Sequence, residues 1–193
     1  MSKSGAHKSL RRSVATQAVH GGEASRKNGN ALTTPIIQTS TYVFRDTAEL
    51  VAHMSGETTR EEYGRYGNPT QHVAEQKCAA LEGAEAGLAF SSGMSAITTT
   101  LLAILRHGQH VVMTDDCYRR TRQFCKGTLG KFGVDVSIVP TGDYQALEEA
   151  IRPGSTRILI SETPTNPYLK VVDLGRLAEI AKKHGLISII DST

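Results

Sequence analysis

From residue 87 onward, short apolar runs alternate with amphipathic stretches. Gly87-Leu88-Ala89-Phe90, 110–114, 134–139, 157–161 and 186–190 are each too short for a helix and are bounded by Gly, Pro or polar residues. They read as strands. Their apolar character is nearly continuous rather than alternating, which predicts strands covered on both faces, as in a parallel sheet. Between them lie predicted helices: Gly93 to Leu105, about 118–132, one capped by Asp143 with Leu147 and Ile151 inward, and one capped by Asp173. The last carries Leu174, Leu177, Ala178 and Ala181 on one face and Lys182-Lys183 in its final turn, near the negative end of the helix dipole. The pattern predicts an α/β domain with a mostly parallel sheet.

The first part of the chain is different. Residues 13–45 show no clear period and carry Gly21-Gly22, Asn28-Gly29-Asn30 and Thr34-Pro35, with a short extended piece at Ile36-Ile37. An irregular segment of this length is unusual within a compact domain and suits an arm lying on another subunit. Asp46 is expected to cap a short helix with Glu49 completing a capping box and Leu50, Val51 and Met54 on one face. Residues 55–69 are polar and glycine-rich. Thr70 then begins a helix whose Ala74, Cys78 and Leu81 share a face, and Gly83 ends it. The expected organisation is a disordered basic tail over 1–12, an arm with a short helix over 13–60, and a partial ligand-binding domain over 61–193.

Composition narrows the class. The 193 residues carry 22 Lys+Arg against 19 Asp+Glu, a net charge of +3 with the signs interspersed. That balance gives no reason to expect a nucleic-acid or membrane partner, and no apolar run approaches the ~20 residues of a membrane span. Three scattered cysteines, Cys78, Cys117 and Cys125, without a C-x-x-C pair, fit small buried hydrophobes in a reducing compartment. A cytoplasmic location is expected, with a plastid the alternative for a plant or algal source. His107 and His110 read as loop histidines rather than metal ligands. No dinucleotide or nucleoside-triphosphate fingerprint occurs.

The candidate chemistry sits at the predicted carboxyl ends of strands, where ligands bind in such folds. Ser91-Ser92-Gly93-Met94-Ser95-Ala96 joins a strand end to a helix start, so free backbone N–H groups and the helix dipole suit a phosphate there; a plain helix cap is the simpler alternative. Asp191 follows a continuous apolar run, so its carboxylate either is hydrogen-bonded at the strand end or meets a ligand cation such as a pyridinium nitrogen. Tyr118 either packs in the core or stacks on a flat ring. Glu162-Thr163-Pro164-Thr165-Asn166-Pro167 is either a rigid turn or a stiffened binding loop. Tyr63 and Arg65 flank Gly64, and Arg65 suits a phosphate if the segment is more than a surface loop. Arg119, Arg120 and Arg122 form either a solvated basic face or a site favouring a phosphorylated substrate.

Four of these segments, Tyr63–Thr70, Ser91–Ala96, Glu162–Pro167 and Ile189–Thr193, occur in an order that resembles the Cys/Met-metabolism family of pyridoxal-phosphate enzymes over about residues 13–193. The stretch Asp116-Cys117-Tyr118-Arg119-Arg120-Thr121-Arg122 is most similar to plant-type cystathionine γ-synthases. The resemblance implies the three-layer large domain of fold type I transferases, incomplete at its carboxyl end. It also implies pyridoxal 5'-phosphate as cofactor. The Gly93 and Met94 N–H groups would hold its phosphate, Tyr118 would stack on its ring, Asn166 would face the 3-oxygen, Asp191 would pair with the ring nitrogen, and Glu162 would support the site. Tyr63 and Arg65 would reach the cofactor phosphate of a neighbouring subunit, making the protein a homodimer or homotetramer with shared active sites. The implied reaction is γ-replacement on an activated homoserine with cysteine, giving cystathionine in methionine biosynthesis. A γ-lyase, an O-acetylhomoserine sulfhydrylase and an inactive fragment that acts only by binding are the alternatives. The family's Schiff-base lysine stands in a Ser-x-[Ser/Thr]-Lys setting beyond the Asp191 motif, and no lysine of this chain stands in one. The 193 residues alone are therefore expected to be inactive.

Overall fold

The computed structural model describes residues 13–193, so the expected basic tail over 1–12 lies outside them. The chain divides into two compact units, Met1–Ala89 and Phe90–Thr193.

The first unit contains α1 (Val14–His20), α2 (Thr47–Met54) and α3 (Pro69–Glu82). Helix α1 falls where no period is legible; Ser13 caps it, accepting from Thr16 N–H, and none of its residues is buried. Asp46 caps α2, and Glu49 reaches back to the Arg45 N–H, one residue beyond the expected capping box. Its expected apolar face is not inward: Val51 and Met54 are exposed. Helix α3 starts one residue earlier than expected. Asn68 caps it by accepting from Thr70 and Gln71 N–H, and Pro69 fills the first turn. The same Asn68 donates to the Ile37 carbonyl at 2.8 Å, and Thr70 Oγ1 links to Ile37 N–H and the Pro35 carbonyl. Ile36-Ile37 is held by α3 in this way rather than by a strand partner. These bonds, and Lys77 reaching the Val19 carbonyl and Glu23, group α3 with the arm.

Two expectations fail on α3. Its buried face is Glu75 and Ala79, while Ala74, Cys78 and Leu81 face out. Glu75 is satisfied where it lies: Gln71, His72 and the Ala89 N–H all donate to its carboxylate. The Ala89 bond also explains why Gly87–Phe90 is not a strand. A strand exists only as part of a ladder, and no described strand pairs with this run. Its backbone instead bonds α3, and Leu88 is 72% exposed.

In the second unit, α4 (Gly93–Ile104) leads to β1 (His110–Thr114). Next come α5 (Arg119–Gln123), β2 (Asp135–Val139), α6 (Tyr144–Glu149), β3 (Thr156–Glu162), α7 (Leu174–Lys183) and β4 (Ile187–Asp191). The helical stretch expected at about 118–132 runs without a break over 119–131: α5 passes into a wider π turn at Phe124–Leu129 that contains Gly127. The four strands are parallel in the order β2-β1-β3-β4. Alternate residues face opposite sides, as strand geometry requires. Val111, Met113, Ile158 and Ile160 pack with Leu101, Leu105, Cys125 and Leu129. Val112 and Leu159 pack with Leu147, Leu177 and Ile180 on the other face. The result is three layers. On α7, Leu177, Ile180 and Ala181 are buried, whereas Leu174 and Ala178 are exposed. His110 is not a loop histidine. It opens β1, is buried, and bonds Thr156 Oγ1 and Ser137 Oγ through its two ring nitrogens, at 2.8 and 2.9 Å.

The strand order positions the site. From β1 the chain goes by α5 on one face to β2, and from β3 by α7 on the other face to β4. The connections therefore diverge between β1 and β3. At such a switch point, the carboxyl ends open a crevice.

Candidate active site

The carboxyl ends of β1, β3 and β4 and the amino end of α4 converge on a cavity of about 430 Å³, lined by Gly93, Met94, Tyr118, Glu162, Asn166 and Asp191 among others. All the residues named above for binding the ring, the 3-oxygen and the near phosphate therefore lie together in the second unit. Tyr63 and Arg65 belong to the first unit. There, Tyr63 bridges Thr41, Gly64 donates to the Ser40 carbonyl at 2.7 Å, and the Arg65 guanidinium lies 5.0 Å from the Tyr63 ring centre. A Cβ at Gly64 would stand 3.1 Å from the Thr39 carbonyl oxygen, so this bend favours glycine. Arg65 itself is exposed.

Each wall of the cavity has a local cause. Ser92 caps α4 by accepting from Ser95 N–H, which leaves the Gly93 and Met94 N–H groups without a partner among the described residues. A Cβ at Gly93 would meet no atom within 4 Å beyond its chain neighbours and its own helix backbone. Thr121 Oγ1 donates to Met94 Sδ and so joins α5 to this turn. Asp115 Oδ1 accepts from the Thr141 N–H and hydroxyl, tying the loop after β1 to the loop after β2. Burial alone would raise the Asp115 carboxyl, but the Thr141 bonds and the nearby Lys170 hold it below its ordinary range. Asp116 pairs with Lys170 at 2.7 Å, joining the loops after β1 and β3.

The register pairs Glu162 with Asp191 across β3 and β4, so two carboxylates stand side by side at the strand ends. Asp191 Oδ1 accepts from the Thr193 N–H at 3.1 Å and its hydroxyl at 2.6 Å. Glu162 accepts from the backbone N–H groups of Tyr118 and Asn166. The adjacent Cys117 thiol registers their field. Burial chiefly, and then the charges of Glu162 and Asp191, push it up to about 11.

This donor set fits pyridoxal phosphate. The cavity is bipolar in its lining: it brings together the positive end of a twelve-residue helix, with N–H groups unpartnered among the described residues, and two neighbouring carboxylates, Glu162 and Asp191. A ligand with an anionic phosphate at one end and a cationic ring nitrogen at the other matches it. Tyr118 is 41% exposed and lines the cavity, so it is not packed in the core. A larger groove of about 530 Å³ lies between α6 and α7 and shares no lining residue with the strand-end cavity.

The profile of the family described as Cys/Met metabolism PLP-dependent enzyme matches residues 15–193. The chain belongs to this family. Its pyridoxal-phosphate dependence agrees with the bipolar cavity. Among relatives of this family, cystathionine γ-synthase 1, chloroplastic, of Arabidopsis thaliana is 43% identical over 91% of this chain and 31% of its own length. The L-methionine γ-lyase of Pseudomonas putida is 41% identical over 93% of this chain and 45% of its own. The crystal structure of cystathionine γ-lyase from Lactobacillus plantarum, complexed with L-serine, superposes with a TM-score of 0.81 at 36% identity, over 94% of this chain and 45% of its own. The chain thus spans less than half the length of these relatives. The expected fold type I architecture stands.

Some contributors were not legible in sequence. The Asp116–Lys170 and Asp115–Thr141 links join residues far apart in the chain and carry no local signal. The Thr193 contribution had one: Asp-Ser-Thr is a residue pattern that favours a side-chain-to-backbone turn.

Proposed function

We propose that this chain supplies the cofactor-binding half of an enzyme that performs γ-replacement on an activated homoserine, with cysteine as thiol and cystathionine as product. The observation that carries the cofactor part is the bipolar cavity, whose lining combines Gly93 and Met94 N–H groups, unpartnered among the described residues, with the Asp191 carboxylate. Similarity to the Arabidopsis synthase supports the choice of reaction. Comparable similarity to the Pseudomonas γ-lyase keeps elimination as the second reading.

Bound pyridoxal phosphate would supply an electron sink for charge on the substrate's α- and β-carbons. The chain's own residues would hold it in a productive pose. Gly93 and Met94 N–H groups would donate to the phosphate. Tyr118 would cover a ring face, and Asn166 would donate to the 3-oxygen. The Asp191 carboxylate would accept from the protonated ring nitrogen and keep it charged. Arg65 and Tyr63, the former exposed, would extend to the cofactor phosphate of a second subunit. Arg119 and Arg120, exposed beside Tyr118, would favour a phosphate ester of homoserine as substrate.

The test is an assay of the whole protein with pyridoxal phosphate, an activated homoserine and cysteine, separating cystathionine formation from 2-oxoacid release. Cystathionine as main product supports replacement. Oxoacid as main product supports the lyase reading. Neither product, with cofactor bound, would leave a binding role alone.

A further inference from the structure

Glu162 ends β3 and is 4% exposed. A carboxylate so buried needs donors. Among the described residues no lysine or arginine pairs with it. Its two oxygens instead take one backbone N–H each: Oε2 from Tyr118 at 2.5 Å and Oε1 from Asn166 at 2.7 Å. Tyr118 lies on the loop after β1 and Asn166 on the loop after β3, the two connections that diverge at the switch point. Tyr118 also begins α5 without a side-chain cap of its own, so Glu162 holds a residue that its own helix leaves loose.

We infer that Glu162 is a positioning residue, whose carboxylate clamps the Tyr118 and Asn166 backbones so that both side chains meet the cofactor ring in one fixed pose. The inference rests on reading this cavity as the pyridoxal-phosphate site. The clamp acts on backbone donors, so it sets the loops whatever side chains they carry. Its negative charge makes both bonds stronger than neutral ones. It also adds to the field of Asp191 that a cationic ring nitrogen would relieve.

The chemistry selects the test variant. Glu162→Gln keeps size and shape, but turns an NH₂ group toward one of the two N–H donors, so one bond is lost and two donors oppose each other. Glu162→Asp keeps the charge but is a methylene too short to span both loops. The experiment uses the full chain, with amide hydrogen exchange followed residue by residue and visible circular dichroism after saturation with pyridoxal phosphate. In the unaltered chain, Tyr118 and Asn166 amides should be protected and the bound cofactor should show an induced band. In both variants, at least one of these two amides should exchange about tenfold faster while Ile160 in β3 keeps its protection. The induced band should fall by about half or more at saturation, because the ring is no longer held in one orientation. A merely structural role would instead expose the strand amides together with the loops. Unprotected Tyr118 and Asn166 amides in the unaltered chain would overturn the inference, as would an unchanged band in Glu162→Gln. Absence of any cofactor band from the unaltered chain would remove the cofactor reading itself, and this inference with it.

Discussion

Asp191 ends β4 with one carboxylate oxygen engaged by Thr193, whose N–H and hydroxyl both donate to it. An amide in its place keeps the volume but loses the charge that a cationic ring nitrogen requires. Asp191→Asn is expected to weaken pyridoxal-phosphate binding about tenfold or more, the scale of one charge-assisted hydrogen bond, with little change in Tm. Equilibrium dialysis and thermal melts read both quantities. A second residue-scale prediction concerns the thiols. Cys117 is pushed up to about 11 and Cys125 to about 12, in both cases chiefly by burial, while Cys78 is exposed. A thiol reagent at pH 8 should label Cys78 alone in the native chain, and all three cysteines after denaturation. Buried cysteines were the expectation for all three, and Cys78 departs from it because α3 turns its apolar-looking stripe outward. His110 gives the pH dependence. Burial lowers its pKa in the folded state and the Arg152 charge adds to this, while Asp135, ion-paired to Arg152, opposes it. The unfolded chain therefore binds the proton more readily. Stability contributed here is full above the ordinary histidine pKa of about 6.5 and declines as pH falls below it. Melts between pH 7.5 and 5.5 should show this decline, and His110→Gln should flatten it.

At the scale of elements, the amino end of α4 and the cap of α3 do different work. A Cβ at Gly93 meets no atom within 4 Å beyond its chain neighbours and its own helix backbone, so the fold should tolerate Gly93→Val. The added carbons would stand where a phosphate approaches the first-turn N–H groups. Cofactor affinity should fall about tenfold or more while Tm holds within a few degrees. Asn68→Ala removes the α3 cap and its bond to the Ile37 carbonyl. A loss of about 1–2 kcal/mol is expected in a denaturant melt. Caps at Asp46, Asp143 and Asp173 were readable from sequence, because an acidic residue before an apolar period has one dominant local use. Helix α1 was not readable, since seven residues without a buried face leave no period to detect. The run Gly87–Phe90 misled for the opposite reason. It has the composition of a strand, but pairing is a property of two segments and cannot be read from one.

At the scale of the molecule, the parallel strands and their order place the polar strand ends at one switch point, and this much was legible because continuous apolar runs between amphipathic helices admit few arrangements. Which side chains would share the cavity was legible only through the assembled resemblance of four motifs. The clamp of Glu162 on two backbone donors was not legible, since nothing in a sequence says which N–H a carboxylate will meet. The central claim is that a pyridoxal-phosphate site is built at the carboxyl ends of β1, β3 and β4 against α4. The most direct measurement is a titration of the ¹⁵N-labelled chain with pyridoxal 5'-phosphate, following every amide. The account predicts that Gly93, Met94, Tyr118, Asn166 and Asp191 shift together along one saturating curve, with α6 and α7 unmoved. Saturating shifts confined to the groove between α6 and α7, or no saturating shift at Gly93 and Asp191, would contradict it.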